Sequence, residues 1–376
     1  MIKFWSYKNE YNKYKKHILR NVDSSLKKGF IFFGKELIKF EKNFIKKHNS
    51  KYGIAVGSGT DALLIAIKSL GIKPGDEIIT AANTAIPTIS AIINAGAKPR
   101  LVDIGKDYLI DVKKIENEIN ANTKAIIPVH LYGQSCNMNE ITRLSLKYNL
   151  EIVEDCSQSQ GAKYKNKLVG TFGKLGCFSF YPTKILGAYG DGGFILTNNL
   201  KTFLRIKRLR FYGIETELNA KYKNQYYAYE NGFNSRIDEL QSAILNFKLK
   251  KVDYFINKRR ELAKIYLNEL KDTKLLLPIE NKNNKHVYHL FTVYHPKRDL
   301  IIKDLFKKKI ETRLIYPYTI QEMIAYKKII KNINRLKISQ KNSRGIFCLP
   351  LYPELKIEKV KYICKSLKYI LQKIDS

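Results

Sequence analysis

Three stretches of the chain hold side chains whose type and spacing could do chemistry. Gly57-Ser58-Gly59-Thr60-Asp61-Ala62 follows an apolar run and opens a helical pattern, and the free N–H groups and positive dipole end of a helix start favour a phosphate there. Read as GxGxxA it could also be a dinucleotide fingerprint, which needs an acidic residue about 20 positions on, at the end of the second strand. Asp76 and Glu77 have the spacing but precede their strand, which counts against NAD. The plain alternative is a glycine-rich turn with Thr60 as helix cap. In Val153-Glu154-Asp155-Cys156-Ser157-Gln158, Asp155 ends an apolar run, at the sheet edge where ligands gather. A carboxylate there needs a cationic partner, or serves as a structural cap or ion-pair member. The third stretch, Phe178-Ser179-Phe180-Tyr181-Pro182-Thr183-Lys184, runs into Gly187, Gly190, Asp191, Gly192 and Gly193. Most lysines here face solvent. Lys184 instead follows an apolar strand and a proline, where burial could lower its pKa and make it a Schiff-base nucleophile.

A phosphate cradle, a strand-end carboxylate and an amine in a glycine-rich loop are together the parts that pyridoxal phosphate requires: an anchor, a partner for its ring nitrogen, and an attachment point. Among other candidates, His286 and His289 flank an expected strand, and the six histidines form no evident set of three or four metal ligands. His130, in PVHLYG, reads as a satisfied core polar group. Tyr181, Tyr189 and Tyr316-Pro317 could contact a sugar or nucleotide, or simply pack in core and loops.

These residues must be positioned by an α/β scaffold. Between about residues 50 and 200, short β-branched runs (Ile54 to Val56, Glu77 to Thr80, Arg100 to Ile104, Ala125 to Val129, Glu151 to Glu154, Cys177 to Tyr181 and Phe194 to Thr197) alternate with helix-length segments. That alternation predicts a mainly parallel sheet with helices on both faces. Gly71 can cap the first helix, and Pro74-Gly75-Asp76 turns the chain into the next strand. After about residue 245 a Lys-rich helical stretch (Leu245 to Leu270) leads to a predicted strand at Tyr288 to Tyr294 and then helix to the C-terminus. The expected division is a large α/β unit, 1–245, with an N-terminal helical segment at 1–30, and a smaller α+β domain, 246–376. A chain of 376 residues suits two domains at about 100 to 200 residues each.

Composition narrows the partners. The chain is 44 % hydrophobic and 12 % aromatic, enough for a packed interior rather than disorder. Lys plus Arg is 68 against 34 Asp plus Glu, a net charge of +34 that would draw anions. The lysines are spread among Asn, Ile and Tyr, as a coding bias would spread them, and no arginine-rich arm, zinc-finger spacing or RNP motif makes a nucleic-acid reader. Five cysteines without a CxxC pair fit reduced thiols. No run approaches the roughly 18 apolar residues of a membrane span, and the start lacks a signal-peptide core. The expectation is a cytoplasmic protein that binds neither membrane nor nucleic acid.

The segments GSGTDALLIAIKSLGIKPGDEIIT, AIIPVHLYGQSCNM, VEDCSQSQGAKYKNKLVGTFG, FSFYPTKILGAYGDGGFILTN and GFNSRIDELQSAIL, in this order, closely resemble the DegT/DnrJ/StrS family of PLP-dependent nucleotide-sugar aminotransferases. The resemblance runs from GKELIKFEKNF to LPLYPEL. It implies the fold type I architecture, a mainly parallel seven-stranded sheet between helices plus a smaller C-terminal domain. It implies that Lys184 forms the Schiff base with the cofactor and then shuttles the proton, and that Asp155 keeps the pyridine nitrogen protonated. Gln158 matches a contact to the cofactor 3′-oxygen. Gly59, Thr60 and Ser179 match phosphate ligands, and Asn234 matches a phosphate contact from the other subunit of a homodimer with shared sites. Arg236, close by, holds a donor carboxylate, orients the loop, or pairs with Asp238 or Glu239 at the helix start. Tyr181 and Tyr316 are candidate substrate contacts. Where many members stack an aromatic residue on the pyridine ring, TAANTAIPTISAI places Ala85, which is near the cofactor but cannot supply that stack.

The activity implied is transfer of an amino group from L-glutamate to a nucleotide-linked keto-6-deoxysugar, with dTDP-3-keto-6-deoxyhexose as expected acceptor. The alternatives are C-4 amination of a UDP-linked 4-keto sugar, and a non-catalytic sugar-nucleotide sensor of the same fold. Related C-3 dehydratases resemble this pattern with histidine in the lysine's place, so Lys184 argues against that chemistry.

Overall fold

The computed structural model describes residues 1–215, 226–330 and 335–375. The seven apolar runs become the seven strands of one sheet: β1 Tyr52–Val56, β2 Glu77–Ala81, β3 Lys98–Val102, β4 Thr123–Ile127, β5 Glu151–Asp155, β6 Leu175–Ser179 and β7 Gly193–Thr197. Their order is β1-β7-β6-β5-β4-β2-β3. Strands β6, β5, β4, β2 and β3 run parallel, and β7 is antiparallel to both its neighbours. Every residue of β6 and β7 is buried, which explains why these runs are apolar throughout rather than alternating. Three runs end earlier than the sequence pattern predicts, β6 stopping at Ser179 rather than Tyr181. The β4 ladder stops before Pro128, which has no N–H to donate, and beyond β3 Ile104 leaves the sheet to bridge Ile110.

Helices on both faces complete the layers, numbered here where they exceed two turns. They are α1 Tyr7–Lys27, α2 Lys35–His48, α3 Gly59–Ser69, α4 Ile86–Asn94, α5 Met138–Tyr148, α6 Leu200–Leu209, α7 Glu239–Leu249, α8 Val252–Leu270, α9 Arg298–Lys307, α10 Lys337–Gly345 and α11 Ile357–Asp375. Gly71 follows α3 at φ +76°, the left-handed position at which a helix C-terminus favours glycine. The stretch Leu245 to Leu270, expected as one helix, is broken at Lys250–Lys251. The break lets Val252, Phe255 and Ile256 pack with Ile244 and Leu245, while Leu262, Tyr266 and Leu270 enter a separate C-terminal core. The strand expected at Tyr288 to Tyr294 is only β8, Phe291–Tyr294. Tyr288 is left-handed at φ +47° and lays its ring on His286, centroids 4.0 Å apart. Strand β9, Ile346–Leu349, pairs antiparallel with β8.

His130 is a core contact, as its sequence setting indicates, and it is tied to Glu154 of β5. Its Nδ1 accepts from the Cys136 N–H at 3.1 Å, so Nε2 carries the proton given to Glu154 at 3.0 Å. The same carboxylate accepts from the backbone N–H groups of Gly170, Phe172 and Gly173 at 2.7–2.8 Å. With Cys156 these two residues form the one close cluster of metal-type side chains among the described residues, and the Glu154 oxygens are already engaged. Glu154→Ala strands all four donors, and an expected loss of about 3–5 kcal/mol follows in urea unfolding. A loss under about 1 kcal/mol, one ordinary hydrogen bond, would show that the carboxylate does not pin this loop.

Candidate functional site

The C-terminal edge of the parallel strands is where a sheet of this kind exposes helix starts and strand-end side chains. Strand β1 passes through Gly57 into α3, and the helix cap is Ser58, not Thr60. The Ser58 Oγ accepts from the Asp61 N–H at 3.0 Å. Gly59 and Thr60 therefore occupy the first turn, whose N–H groups have no intrahelical acceptor. They line a cavity of about 190 Å³ together with Ser58 and Ser179. A Cβ on Gly59 would lie 2.5 Å from that of Ser179, so only glycine brings the helix start this close to β6. Asp61 points the other way, accepting from the Ser235 hydroxyl at 2.7 Å.

Asp155 ends β5 only 3 % exposed. One carboxylate oxygen accepts from the Ser157 N–H at 3.0 Å and the other from the Thr88 hydroxyl at 2.9 Å, Thr88 in turn lying 2.8 Å from Thr84. It takes part in no salt bridge among the described residues. Lys184, whose N–H donates to the Tyr181 carbonyl at 2.8 Å, lines the same cavity. Burial lowers its pKa from 10.5 to about 8, with the Asp155 charge opposing part of that fall. The amine is therefore partly neutral at physiological pH, as a nucleophile must be.

The Gln158 amide is held at both ends. Its Oε1 accepts from the Tyr132 N–H at 2.9 Å, and its Nε2 donates to the Tyr316 hydroxyl at 2.7 Å. Tyr132 and Tyr316 are both left-handed, φ +56° and +60°, and their rings stack with centroids 6.3 Å apart. Such backbone costs about 1–3 kcal/mol per residue and persists where the surroundings over-determine it.

Gly59, Thr60, Ala85, Asp155, Gln158, Ser179, Tyr181 and Lys184 thus surround one cavity. Gln158, Tyr181 and Lys184 also line an adjoining cavity of about 480 Å³ that includes Tyr316. Beside Ala85 the wall is aliphatic, made of Pro87, Val129 and Leu131. Tyr189 is turned away, its hydroxyl donating to Glu10 at 3.0 Å next to the buried Glu10–Lys248 pair. Asn234 and Arg236 line neither cavity. Asn234 is exposed and bridges Phe211, and the Arg236 guanidinium lies 4.6 Å from the Phe32 ring centre. No ion pair joins Arg236 to Asp238 or Glu239 among the described residues: Asp238 caps α7, and Glu239 accepts from Gly34, Glu36 and Leu37.

Sequence reasoning missed Thr88, Ser157 and the Tyr132 N–H. It also missed the N-terminal Phe4, Trp5 and Tyr7 and, from the C-terminal region, His289, Glu311 and Arg313, all of which line the larger cavity. The Thr84/Thr88 spacing was a readable signal for a polar pair at a helix start. The Ser157 N–H contact is local, two residues from Asp155; the others depend on contacts distant in sequence.

The donor set fits pyridoxal phosphate: helix-start N–H groups for a phosphate, a buried unpaired carboxylate for a protonated ring nitrogen, and an amine of lowered pKa in the same cavity. On this sheet, such a site defines a fold type I PLP-dependent aminotransferase. Residues 12–368 match the profile of the DegT/DnrJ/EryC1/StrS aminotransferase family, and the chain belongs to that family. It is 38 % identical over 357 residues to a dTDP-3-amino-3,4,6-trideoxy-alpha-D-glucose transaminase of Micromonospora megalomicea subsp. nigra, covering 93 % of this chain and 94 % of the relative. It is 39 % identical over 368 residues to a dTDP-3-amino-3,6-dideoxy-alpha-D-galactopyranose transaminase of Aneurinibacillus thermoaerophilus, covering 98 % and 99 %. The solved structure of S. venezuelae DesV in complex with a ketimine intermediate superposes with a TM-score of 0.93 at 32 % identity, over 98 % of each chain.

Proposed function

We propose that this enzyme moves an amino group from L-glutamate to a nucleotide-linked 3-keto-6-deoxyhexose, with a dTDP-sugar as acceptor. The observation that carries the proposal is the convergence of Lys184, Asp155 and the α3 start on one cavity that opens into a larger one. Bound there, pyridoxal phosphate supplies an electron-poor ring that stabilises negative charge developing on a substrate carbon. The chain does the rest. The N–H groups of Gly59 and Thr60 and the Ser179 hydroxyl would hold the phosphate, Asp155 would keep the ring nitrogen protonated, and Gln158 would donate to the ring oxygen. The Lys184 amine would be the group that holds the cofactor carbonyl and, when free, would move the proton at the reacting carbon as a positioned acid–base. The choice of acceptor rests on the two dTDP-3-amino-sugar relatives, and Tyr181 and Tyr316 stand where a sugar entering the larger cavity would meet them. Supplying L-glutamate with either dTDP-3-keto-6-deoxyhexose or a UDP-linked 4-keto sugar tests it: the expected product is the C-3 amine of the first, and amination of only the second would overturn the assignment.

A homodimer belongs to the proposal. Phe30, Ile31, Phe32 and Phe33 are exposed in one run, more apolar surface than a monomer leaves bare without use. They flank the Arg236–Phe32 stack, beside Asn234 and its Phe211 bridge. Facing a second copy, Asn234 and Arg236 would serve that copy's cavity rather than their own. Among the described residues no helix is long and apolar enough to cross a membrane.

The lowered pKa of Lys184 gives a pH prediction. Only the free amine captures a carbonyl, so the rate at which cofactor-free protein takes up pyridoxal phosphate rises about tenfold per pH unit below the lysine's pKa and levels off above about 8. Stopped-flow absorbance across a pH series measures it. A rate still climbing at the pH of an ordinary lysine would contradict the buried setting of this amine.

A further inference from the structure

We infer that Tyr316 is a positioning residue whose hydroxyl, from across the cleft, anchors the nitrogen end of the Gln158 amide that the Tyr132 N–H has oriented. The inference rests on the proposed cofactor contact of Gln158 and goes beyond it, because nothing in that contact requires the tyrosine. An amide has an acceptor end and a donor end, and a flip exchanges them. At Gln158 the Tyr132 N–H can only donate, so the carbonyl oxygen must face it, 2.9 Å away. The nitrogen then points at the Tyr316 oxygen, 2.7 Å away. One of its two hydrogens is used there, which leaves the second N–H in a fixed direction on a side chain that lines both cavities.

The tyrosine is itself held in place. Its backbone is left-handed, its ring stacks on Tyr132, and burial raises its pKa, with the Asp155 charge adding to the rise, so it stays a neutral phenol. Residue 316 lies far along the chain, after β8 and α9, whereas Gln158 follows β5. The hydrogen bond therefore ties the C-terminal part of the chain to the cofactor side of the cleft. The ionisable groups around this point are Lys184, Asp155, His289, Tyr132 and Tyr181, with Glu311, Arg313 and Tyr7 on the wall of the larger cavity and Cys348 also acting on the phenol.

The test compares PLP-loaded wild type, Tyr316→Phe, Gln158→Ala and the double variant by following the visible absorbance band through a pH titration. An oxygen on the ring that loses an oriented donor becomes more basic and holds a neighbouring proton to higher pH. Tyr316→Phe keeps the ring and its stack and removes only the hydroxyl. The expected result is a shift of the midpoint to higher pH, equivalent to about a 2- to 10-fold tighter proton, the scale of one hydrogen bond. The shift should have the same direction as that of Gln158→Ala. In the double variant Tyr316→Phe should add nothing, since the tyrosine acts only through Gln158. Tyr316→Phe titrating like wild type while Gln158→Ala shifts, or additive shifts in the double variant, would overturn the inference and leave the cofactor assignment standing. Absence of any visible band in PLP-treated wild type would overturn both.

Discussion

Lys184→Ala is expected to leave a folded protein that no longer captures pyridoxal phosphate covalently, with turnover lowered by more than about 10³-fold. The side chain has two roles in the proposal, nucleophile toward the cofactor and mover of the proton, and a positioned acid–base group alone is worth about 10²–10⁴-fold. Among the described residues no other lysine or free amine lines the cavity that holds Asp155 and the α3 start, so none of them stands ready to replace it. Borohydride reduction followed by peptide mass analysis reads the first effect and single-turnover kinetics the second. Covalent capture persisting in the variant, at another residue and with near-normal turnover, would place the reacting amine elsewhere.

Asp155→Asn is expected to move two readouts in opposite directions. The substitution keeps the shape and an acceptor for Thr88 but removes the charge that the proposal pairs with the ring nitrogen. Turnover should fall by about 10²–10³-fold, the scale of deleting one preorganised electrostatic partner. Asp155 is also the charge that raises the pKa of Lys184 against burial. Without it the amine becomes less basic still, and the midpoint of the capture profile moves to lower pH. Slower turnover with an earlier capture midpoint distinguishes this role from general damage, which would slow both. A variant with near-normal turnover would remove Asp155 from the chemistry.

Much of this was legible in sequence for physical reasons. β6 and β7 are buried along their whole length and the other strands of the central sheet over most of theirs, so the apolar runs are conspicuous, and the glycines at the β1–α3 junction announce a close approach that a Cβ would block. Asp155 and Lys184 could be singled out because each follows such a strand. What escaped depends on distant partners. Nothing local announces that Tyr132 and Tyr316 adopt left-handed backbone to grip Gln158, or that Tyr189 turns to Glu10 rather than to the cleft. The α7–α8 break is likewise invisible in a continuous helical pattern, because it exists to serve two cores. The assignment of Arg236 stayed open because its stacking partner Phe32 lies about two hundred positions away in the chain.

The most direct test of the central claim is the absorbance spectrum of the purified protein supplied with pyridoxal phosphate, recorded before and after L-glutamate. The claim predicts a visible band on loading that gives way to near-ultraviolet absorbance when glutamate is added, with 2-oxoglutarate released in equal amount. A dTDP-linked 3-keto-6-deoxyhexose should then restore the visible band. A protein that never develops the band, or one whose band no amino donor discharges, would contradict an aminotransferase built on Lys184.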